Sequence, residues 1–358
     1  MKNTIIYIFL VFGSGLSAFA QKTDTLNLGT KSKSISIDSA SFSSYNFAKN
    51  SPFFIKKLMP TKYNSLSAGF NYEKGNLIQA QNATSLNNTF LSTEGISQIK
   101  SLSIWGQFSY HKIIEDSTTF AHQTRNNIAN PYYFGSPKNM SYQRSIYNLK
   151  ALASKNFIDD NLPLGIGLDY KVGDHYSTND PRGSIGEFQL NLVGTIGYHI
   201  TKQLSLGAGY RYGYGREKVN VAYKNSSLSQ GTVTPEYNNY LINGYGEPEV
   251  FNTDRTYQNN SIRNGIDAYL SFESNNIGIF NFSFQTVKEK QDYNYRTGAA
   301  ITKYIKFNIV NEQYKLFWIK TIEKNNLSIE LGYETNDGDN YLNKYLGNSY
   351  LYNDNSLN

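Results

Sequence analysis

A regular alternation of apolar and polar residues runs from Phe188 to Val219. Every second position from Phe188 to Ile200 is apolar or glycine, and the positions between them are mostly polar or small. Residues 201–203 interrupt the series, which resumes at Leu204 and ends in Tyr210, Tyr212 and Tyr214. Because successive side chains of a strand point to opposite faces, the pattern predicts a long hairpin with one apolar face.

The length of these strands points to a membrane. Roughly ten residues of a tilted strand cross a bilayer, and aromatic residues collect where the strand leaves the lipid. Similar alternation begins near residues 64, 102, 142, 164, 266, 280 and 327, and is weak within 77–99 and 305–322. The sequence therefore predicts an all-β fold: an antiparallel transmembrane barrel of the outer-membrane type, with about 11–12 strands visible.

The connections support this topology. After the third predicted strand they alternate between long and short, as in barrels with short periplasmic turns and longer outer loops. With the N-terminus in the periplasm, the long outer loops fall at about 113–141 and 220–262.

Three segments are predicted along the chain. Residues 1–20 resemble a secretory signal peptide, with Lys2 before an apolar run and the small-residue site Ala18-Phe19-Ala20 after it. Residues 21–60 read as a weakly structured periplasmic lead-in, either a plug or a passive tail, and residues 61–358 as the barrel. The signal predicts export to the cell outer membrane, with outer-membrane lipid as one partner.

The C-terminal part departs from the expected pattern. The eleventh predicted strand ends on the outer side, residues 336–339 read as a turn, and residues 341–352 form at most a partial strand. Bacterial single-chain barrels normally have an even number of strands. We therefore expect the chain to be incomplete at the C-terminus, the alternative being a miscount around the second and tenth strands.

The phase of each strand assigns residues to the two faces of the wall. The polar face is predicted to line the lumen with Ser103, Gln107, His111, Asp169, Lys171, Gln189, Asn191, Thr195, His199, Arg211, Asp267, Glu273, Ser328 and Glu330. The aromatic girdle is predicted to contain Tyr72, Tyr110, Tyr170, Tyr198, Tyr210, Tyr212, Tyr214, Phe272 and Tyr333. The lining mixes both signs of charge, which does not favour a strongly ion-selective ring.

Composition removes several classes of function. The chain has no cysteine, so it has neither a disulfide framework nor a thiolate metal site. Its net charge of +6 is spread out, and no run of like charges suggests nucleic-acid binding. The mean hydropathy of −0.51 argues against a helical membrane protein, whereas a barrel escapes such a measure because only alternate residues face lipid.

Catalytic and metal motifs are weak. The four histidines have no metal-ligand spacing, and we expect neither a metal nor a cofactor. His175 and Ser177 share the predicted lumen face near the outer rim, as in outer-membrane lipid hydrolases, but no orienting carboxylate is evident. Asn336-Asp337-Gly338-Asp339 resembles the start of a calcium loop without its closing glutamate. We expect the protein not to be an enzyme.

Several short motifs carry a family resemblance. They are Asn130-Pro131-Tyr132-Tyr133-Phe134-Gly135, Asn179-Asp180-Pro181-Arg182, Lys74-Gly75 and Gly244-Tyr245-Gly246. With them the chain resembles, after about residue 50, an uncharacterised outer-membrane barrel family of Bacteroides-type bacteria, a domain-of-unknown-function family. The resemblance implies a barrel and an outer-membrane transporter as partner, of the TonB-dependent uptake type. It implies no catalytic residue.

Two main functions follow as hypotheses. The first is passage or binding of a small solute through a porin-like barrel; the second is surface binding or adhesion through the long outer loops. A lipid hydrolase acting through His175 and Ser177 is a third, weaker hypothesis. The sequence does not decide the oligomeric state.

Overall fold

The computed structural model describes residues 39–77, 81–124, 132–231, 233–243, 249–251, 254–297, 300–322, 325–342 and 349–357. The predicted signal peptide and the Gly244-Tyr245-Gly246 motif lie outside these residues, as do Asn130 and Pro131. No helix in the described part of the chain is both long and apolar enough to span a bilayer.

Two helices precede fifteen strands in the described chain. The helices are α1 (Ser39–Ala48) and α2 (Pro52–Leu58). The strands are β1 (Lys62–Lys74), β2 (Ser85–Ile99), β3 (Leu102–Thr118), β4 (Tyr132–Gly135), β5 (Met140–Phe157), β6 (Leu162–Ser177), β7 (Arg182–His199), β8 (Leu204–Ala222), β9 (Asn239–Asn243), β10 (Glu249–Phe251), β11 (Arg255–Ser274), β12 (Gly278–Thr297), β13 (Ala300–Ile322), β14 (Asn325–Leu342) and β15 (Ser349–Leu357).

Twelve of these strands form one antiparallel sheet in chain order, from β1 to β15 without β4, β9 and β10. The predicted all-β antiparallel barrel wall of about 11–12 strands is therefore confirmed. Among the described residues no ladder joins β1 to β15, so the sheet is not closed. The long hairpin predicted from Phe188 to Val219 is the β7–β8 pair, in which Leu192 lies opposite Tyr212.

The outward face of the sheet carries an exposed apolar belt. On β7 and β8 it includes Leu192, Ile196, Leu206 and Tyr210, all more than one third exposed. The belt continues around the wall through Leu66, Phe70, Leu91, Ile104, Leu149, Leu164, Ile166, Ile266, Leu327, Ile329 and Leu331. An exposed apolar surface of this extent marks contact with a membrane or with another protein.

The helices pack against the opposite face. Phe47 stacks on Phe317 of β13 with ring centroids 5.4 Å apart, and Phe53 stacks on Tyr269 of β11 at 5.1 Å. Ser51 caps α2 by accepting a hydrogen bond from the Phe53 amide, and Pro52 occupies the first turn, where its missing N–H costs nothing. The expectation that residues 21–60 are weakly structured is wrong for 39–58, because their aromatic residues have a core to enter.

Glycines allow this close packing on the inner face. A Cβ atom on Gly197 or Gly207 would lie 2.6 Å from Cε2 of Phe53. These two residues lie opposite each other on β7 and β8, so neither strand places a side chain where α2 approaches the wall. Because neither residue has a side chain, the ring of Phe53 can lie directly against the wall.

A second apolar cluster fills the interior near the long connections. There β4, β9 and β10 form a small three-stranded sheet, and Phe134 and Leu241 are fully buried in it. They pack with inward residues of the wall, among them Tyr257, Tyr293 and Phe307. We call this cluster the outer core, and the cluster around Phe47, Phe54 and Trp105 the inner core.

Three predicted loop assignments are corrected. Residues 113–118, expected within the loop at 113–141, belong to β3. Residues 255–262 belong to β11, and residues 336–339 belong to β14, where Asn336 pairs with Asn311. Outside the apolar belt both faces of a strand can be polar. The alternation of apolar and polar residues therefore does not show where such a strand ends.

Candidate ligand cavity between the two cores

A cavity of about 480 Å³ lies inside the wall between the inner and outer cores. Trp105 and Leu152 of the inner core bound it on one side, and Ile309 of the outer core bounds it on the other. This volume falls in the range of small-molecule sites. The polar side chains that line it are Lys49, Asn50, Lys150, Asp169, Asn191, Arg211, Arg263, Gln285, Glu289, Asn311, Glu334 and Asn336.

The junction of α1 and α2 forms the floor. Asn50 lies there, and its carbonyl oxygen accepts a hydrogen bond from Nη2 of Arg211 at 3.2 Å. Its side-chain oxygen accepts another from Nζ of Lys315 at 3.0 Å. Lys49 forms a 2.7 Å ion pair with Glu94 of β2. The cavity is therefore built jointly by the helices and by strands distant from them in sequence.

Ion pairs crossing between strands form the wall. Arg211 of β8 pairs with Asp267 of β11 at 2.8 Å, and Asp267 also accepts from the Tyr269 hydroxyl. Arg263 pairs with Glu289 of β12 at 2.8 Å and donates to Oδ1 of Asn191 at 3.3 Å. These partners are inward residues on neighbouring strands, where opposite charges stabilise the sheet.

A cluster of carboxamides and one carboxylate lines the β13–β14 side. Nδ2 of Asn311 donates to Oε1 of Glu334 at 2.6 Å and to Oδ1 of Asn336 at 2.7 Å. Gln313 donates to the other carboxylate oxygen of Glu334 at 3.2 Å. The cluster therefore holds the Glu334 carboxylate in place at the edge of the cavity.

Only some of the predicted lumen residues line the cavity. Asp169, Asn191 and Arg211 line the cavity, and Asp169 pairs with Lys150 at 3.4 Å. The remaining lumen predictions are not among the residues that line the cavity, although Asp267 holds Arg211 from behind: Ser103, Gln107, His111, Lys171, Gln189, Thr195, His199, Asp267, Glu273, Ser328 and Glu330. Within that group, Glu273 pairs with Lys57 of α2 and His199 contacts Ser205 near the short turn.

Sequence reasoning missed several cavity residues. Asn311 belongs to β13, whose alternation is poor, and Glu334 and Asn336 follow the last clearly alternating apolar residue of β14, Tyr333. Counting in steps of two from Ile305 would have placed Asn311 on the inward face. No sequence signal would have placed Lys49 and Asn50, since their position depends on where the helices pack.

The predicted girdle residues lie on the outward face in two rows. Tyr110 faces Tyr147 across β3 and β5, and Tyr314 lies opposite Tyr333 across β13 and β14. This row, which also holds Tyr72, Tyr170, Tyr210, Tyr212 and Tyr214, lies towards the long connections. Tyr198 and Phe272 lie beside the short turns, so they belong to the other row.

A buried polar network joins the loop after β3 to the wall beyond the apolar belt. Arg144 pairs with Glu115 at 2.9 Å and donates to the Gln123 carbonyl at 2.8 Å. Thr124 donates to Oε2 of Glu217 at 2.6 Å. Arg216 and Lys218 flank Glu217 and point outward, which places this level outside the apolar belt.

Burial changes the protonation of this network. The pKa of Glu217 is raised to about 7, mainly by burial; the Thr124 hydrogen bond opposes this rise and the nearby Glu187 carboxylate adds to it. Burial lowers the pKa of His122 to about 3, and the positive charge of Arg144 acts in the same direction. The loop is therefore held by groups with opposite responses to pH.

His175 and Ser177 do not act together as catalytic base and nucleophile. Nε2 of His175 lies 3.3 Å from Oε1 of Glu187, so an orienting carboxylate is present that the sequence did not reveal. The Ser177 hydroxyl donates to the Asn179 carbonyl at 2.8 Å instead. Both residues are buried, which gives a lipid no route to the hydroxyl. Among the described residues no cluster has the ligands for a metal ion.

Comparison with known proteins assigns the chain to a family by its sequence. Residues 52–358 match the family of unknown function DUF6850. The chain belongs to this family. No curated protein matches it.

Solved structures show only a distant likeness. The ferric yersiniabactin uptake receptor of Yersinia pestis is similar over 83% of this chain, with 7% identity and a TM-score of 0.38. The ferric preacinetobactin receptor of Acinetobacter baumannii is similar over 82%, with 10% identity and a TM-score of 0.29. The chain spans 50% and 61% of the length of these receptors. At these scores the likeness carries no argument about function.

Proposed function

We propose that this DUF6850 member is an outer-membrane barrel that binds a small polar solute in its interior and controls the passage of that solute. The observation that carries the proposal is the cavity between two packed cores. An open porin would leave a continuous polar channel, whereas here α1 and α2 occupy one part of the interior and the β4–β9–β10 sheet occupies another. Such an interior suits binding followed by gated release.

The outward apolar belt supports the membrane location. Leu66, Ile166 and Ile266 are each more than half exposed on a face that contacts no other part of the described chain. Lipid would cover them, and the tyrosine rows would lie at the interfaces. Recovery of the full chain as a detergent-free monomer in the soluble periplasmic fraction would contradict this location.

The loops give less support to surface adhesion. The described parts of the two long connections place Tyr132, Phe134 and Leu241 inside the barrel, where a surface partner cannot reach them. Solute handling is therefore the function that we favour. Solute handling of this kind is compatible with a role beside an active transporter.

Conductance in planar bilayers tests controlled passage. We expect the wild type to be mostly closed, because two cores fill the interior. Phe47→Ala combined with Phe54→Ala removes two buried rings of the inner core and should produce long-lived openings. The matched control is Phe42→Ala, on the exposed side of α1.

The bilayer result needs an independent check on the helices. Tryptic cleavage at Lys49, Lys56 or Lys57 reports whether α1 and α2 have left the wall. A double variant that is cleaved there but stays silent in bilayers would refute passage along this route.

A further inference from the structure

We propose that the cavity selects an uncharged solute rich in hydroxyl groups, namely a short neutral oligosaccharide. This inference rests on the proposed function and names the class of solute. Three features of the lining support it: the pairing of its charges, the number of its carboxamides and the placing of its apolar side chains.

Most of the charged groups of the lining are paired with an opposite charge. Lys49 pairs with Glu94, Lys150 with Asp169, Arg211 with Asp267 and Arg263 with Glu289, at distances of 2.7–3.4 Å. Glu334 accepts hydrogen bonds from Asn311 and Gln313. A charged solute that displaced a partner of a buried pair, such as Arg211–Asp267, would leave a desolvated charge without its counter-charge, which is costly. An uncharged solute avoids that cost.

Carboxamides dominate the remaining polar lining. Asn191, Gln285, Asn311 and Asn336 reach the cavity from four different strands, whereas the carboxamide of Asn50 is already used by Lys315 and by the Phe47 carbonyl. A carboxamide donates and accepts hydrogen bonds at once, and so does a hydroxyl group. Groups of this kind placed on several sides of one cavity suit a solute that carries hydroxyls around its whole edge.

Apolar side chains lie between these polar groups. Val193, Val287 and Ile309 lie on β7, β12 and β13, close in sequence to Asn191, Gln285 and Asn311. Each apolar residue is two positions from a carboxamide on the same strand, so both point inward. A sugar ring presents C–H groups on its faces and hydroxyls at its edge, and this alternating lining matches both.

Calorimetric titration of the full-length protein in detergent tests the inference. The probes are the neutral trisaccharide raffinose, the anionic sugar acid lactobionate and the cationic polyamine spermidine. We expect raffinose to bind and the two charged probes to bind at least tenfold more weakly. Preference for either charged probe would overturn the inference.

Matched variants locate the binding. Gln285→Ala and Asn311→Ala should each weaken raffinose binding about tenfold, the effect of losing about 1.4 kcal/mol of contact. Asn308→Ala is the control, because Asn308 lies on the outward face of the same strand as Asn311. Melting curves in detergent show that each variant is folded. Equal weakening by Asn308→Ala would overturn the placement.

The outcome separates this inference from the proposed function. If no raffinose binds but loosening the inner core opens the barrel, the solute class is wrong and gated passage stands. If raffinose binds but no variant opens the barrel, the site stands and gated passage is wrong.

Discussion

Arg211 Nη2 donates a hydrogen bond to the backbone carbonyl of Asn50 at 3.2 Å, across 161 residues of sequence. The same guanidinium is paired with Asp267 through Nε. One side chain therefore connects the helix junction to two strands of the wall. A solute in the cavity would contact Arg211 directly. Its binding would therefore affect how firmly α1 and α2 are held against the wall.

Removing Arg211 should destabilise the protein. Arg211→Ala leaves the fully buried Asp267 carboxylate without its counter-charge, at a cost of about 3 kcal/mol. Urea unfolding from detergent micelles, followed by tryptophan fluorescence, measures the loss. Arg216→Ala is the control, since Arg216 points outward on the same strand, and it should change stability by less than about 0.5 kcal/mol. Equal effects from both variants would contradict the role given to Arg211.

The inner core depends on Phe47. Its ring is fully buried between Phe54 and Phe317, so Phe47→Ala should cost about 3 kcal/mol. The same substitution at Phe42 should have little effect because that side chain is 51% exposed. Limited trypsin digestion with mass spectrometry gives the readout. Faster release of peptides ending at Lys49 is expected in the first variant and not in the second.

Two glycines of β7 provide a second test of the helix packing. A methyl group on Gly197 would meet Phe53 at 2.6 Å and Pro163 at 2.8 Å, whereas one on Gly194 meets nothing within 4 Å. Gly197→Ala should therefore destabilise by about 1–3 kcal/mol, the usual cost of overpacking. Gly194→Ala should be neutral. If neither variant changed the melting temperature, the Phe53 ring would be able to move away from the added methyl group at no cost in stability.

The buried network above the belt predicts a pH dependence with a defined sign. The pKa of Glu217 rises from 4.5 to about 7 on folding, so the folded state keeps a proton that the unfolded chain loses. Its contribution is fully present below pH 4.5 and is lost as pH rises to about 7. The pKa of His122 falls from 6.5 to about 3, so its contribution is lost as pH falls below 6.5.

Glu217→Gln isolates the first of these contributions. Subtracting the variant's unfolding free energy from that of the wild type at each pH should give a difference that declines between pH 4.5 and 7 and is flat above. The variant alone should lose stability on acidification, since the His122 contribution remains. A difference that rises with pH would mean that Glu217 is ionised in the folded protein.

The sequence alone determined the strands and the faces of the wall. Alternation of apolar and polar residues is a local property, because it follows from the geometry of each strand and from the medium on each side. The β7–β8 hairpin from Phe188 to Val219 and the inward position of Arg211 could therefore be predicted. Asp267 could be placed on the same face, but its pairing with Arg211 could not, because pairing depends on register between distant strands.

Only the tertiary structure decided what fills the interior. Phe53 and Phe54 form a short apolar patch whose role depends on the pocket that Gly197, Gly207 and Tyr269 create far away in sequence. Residues of the predicted outer loops likewise turned inward, because Tyr132, Phe134 and Leu241 gain more by burial than by exposure. The cavity is the space left between these two cores, so no local pattern could have located it.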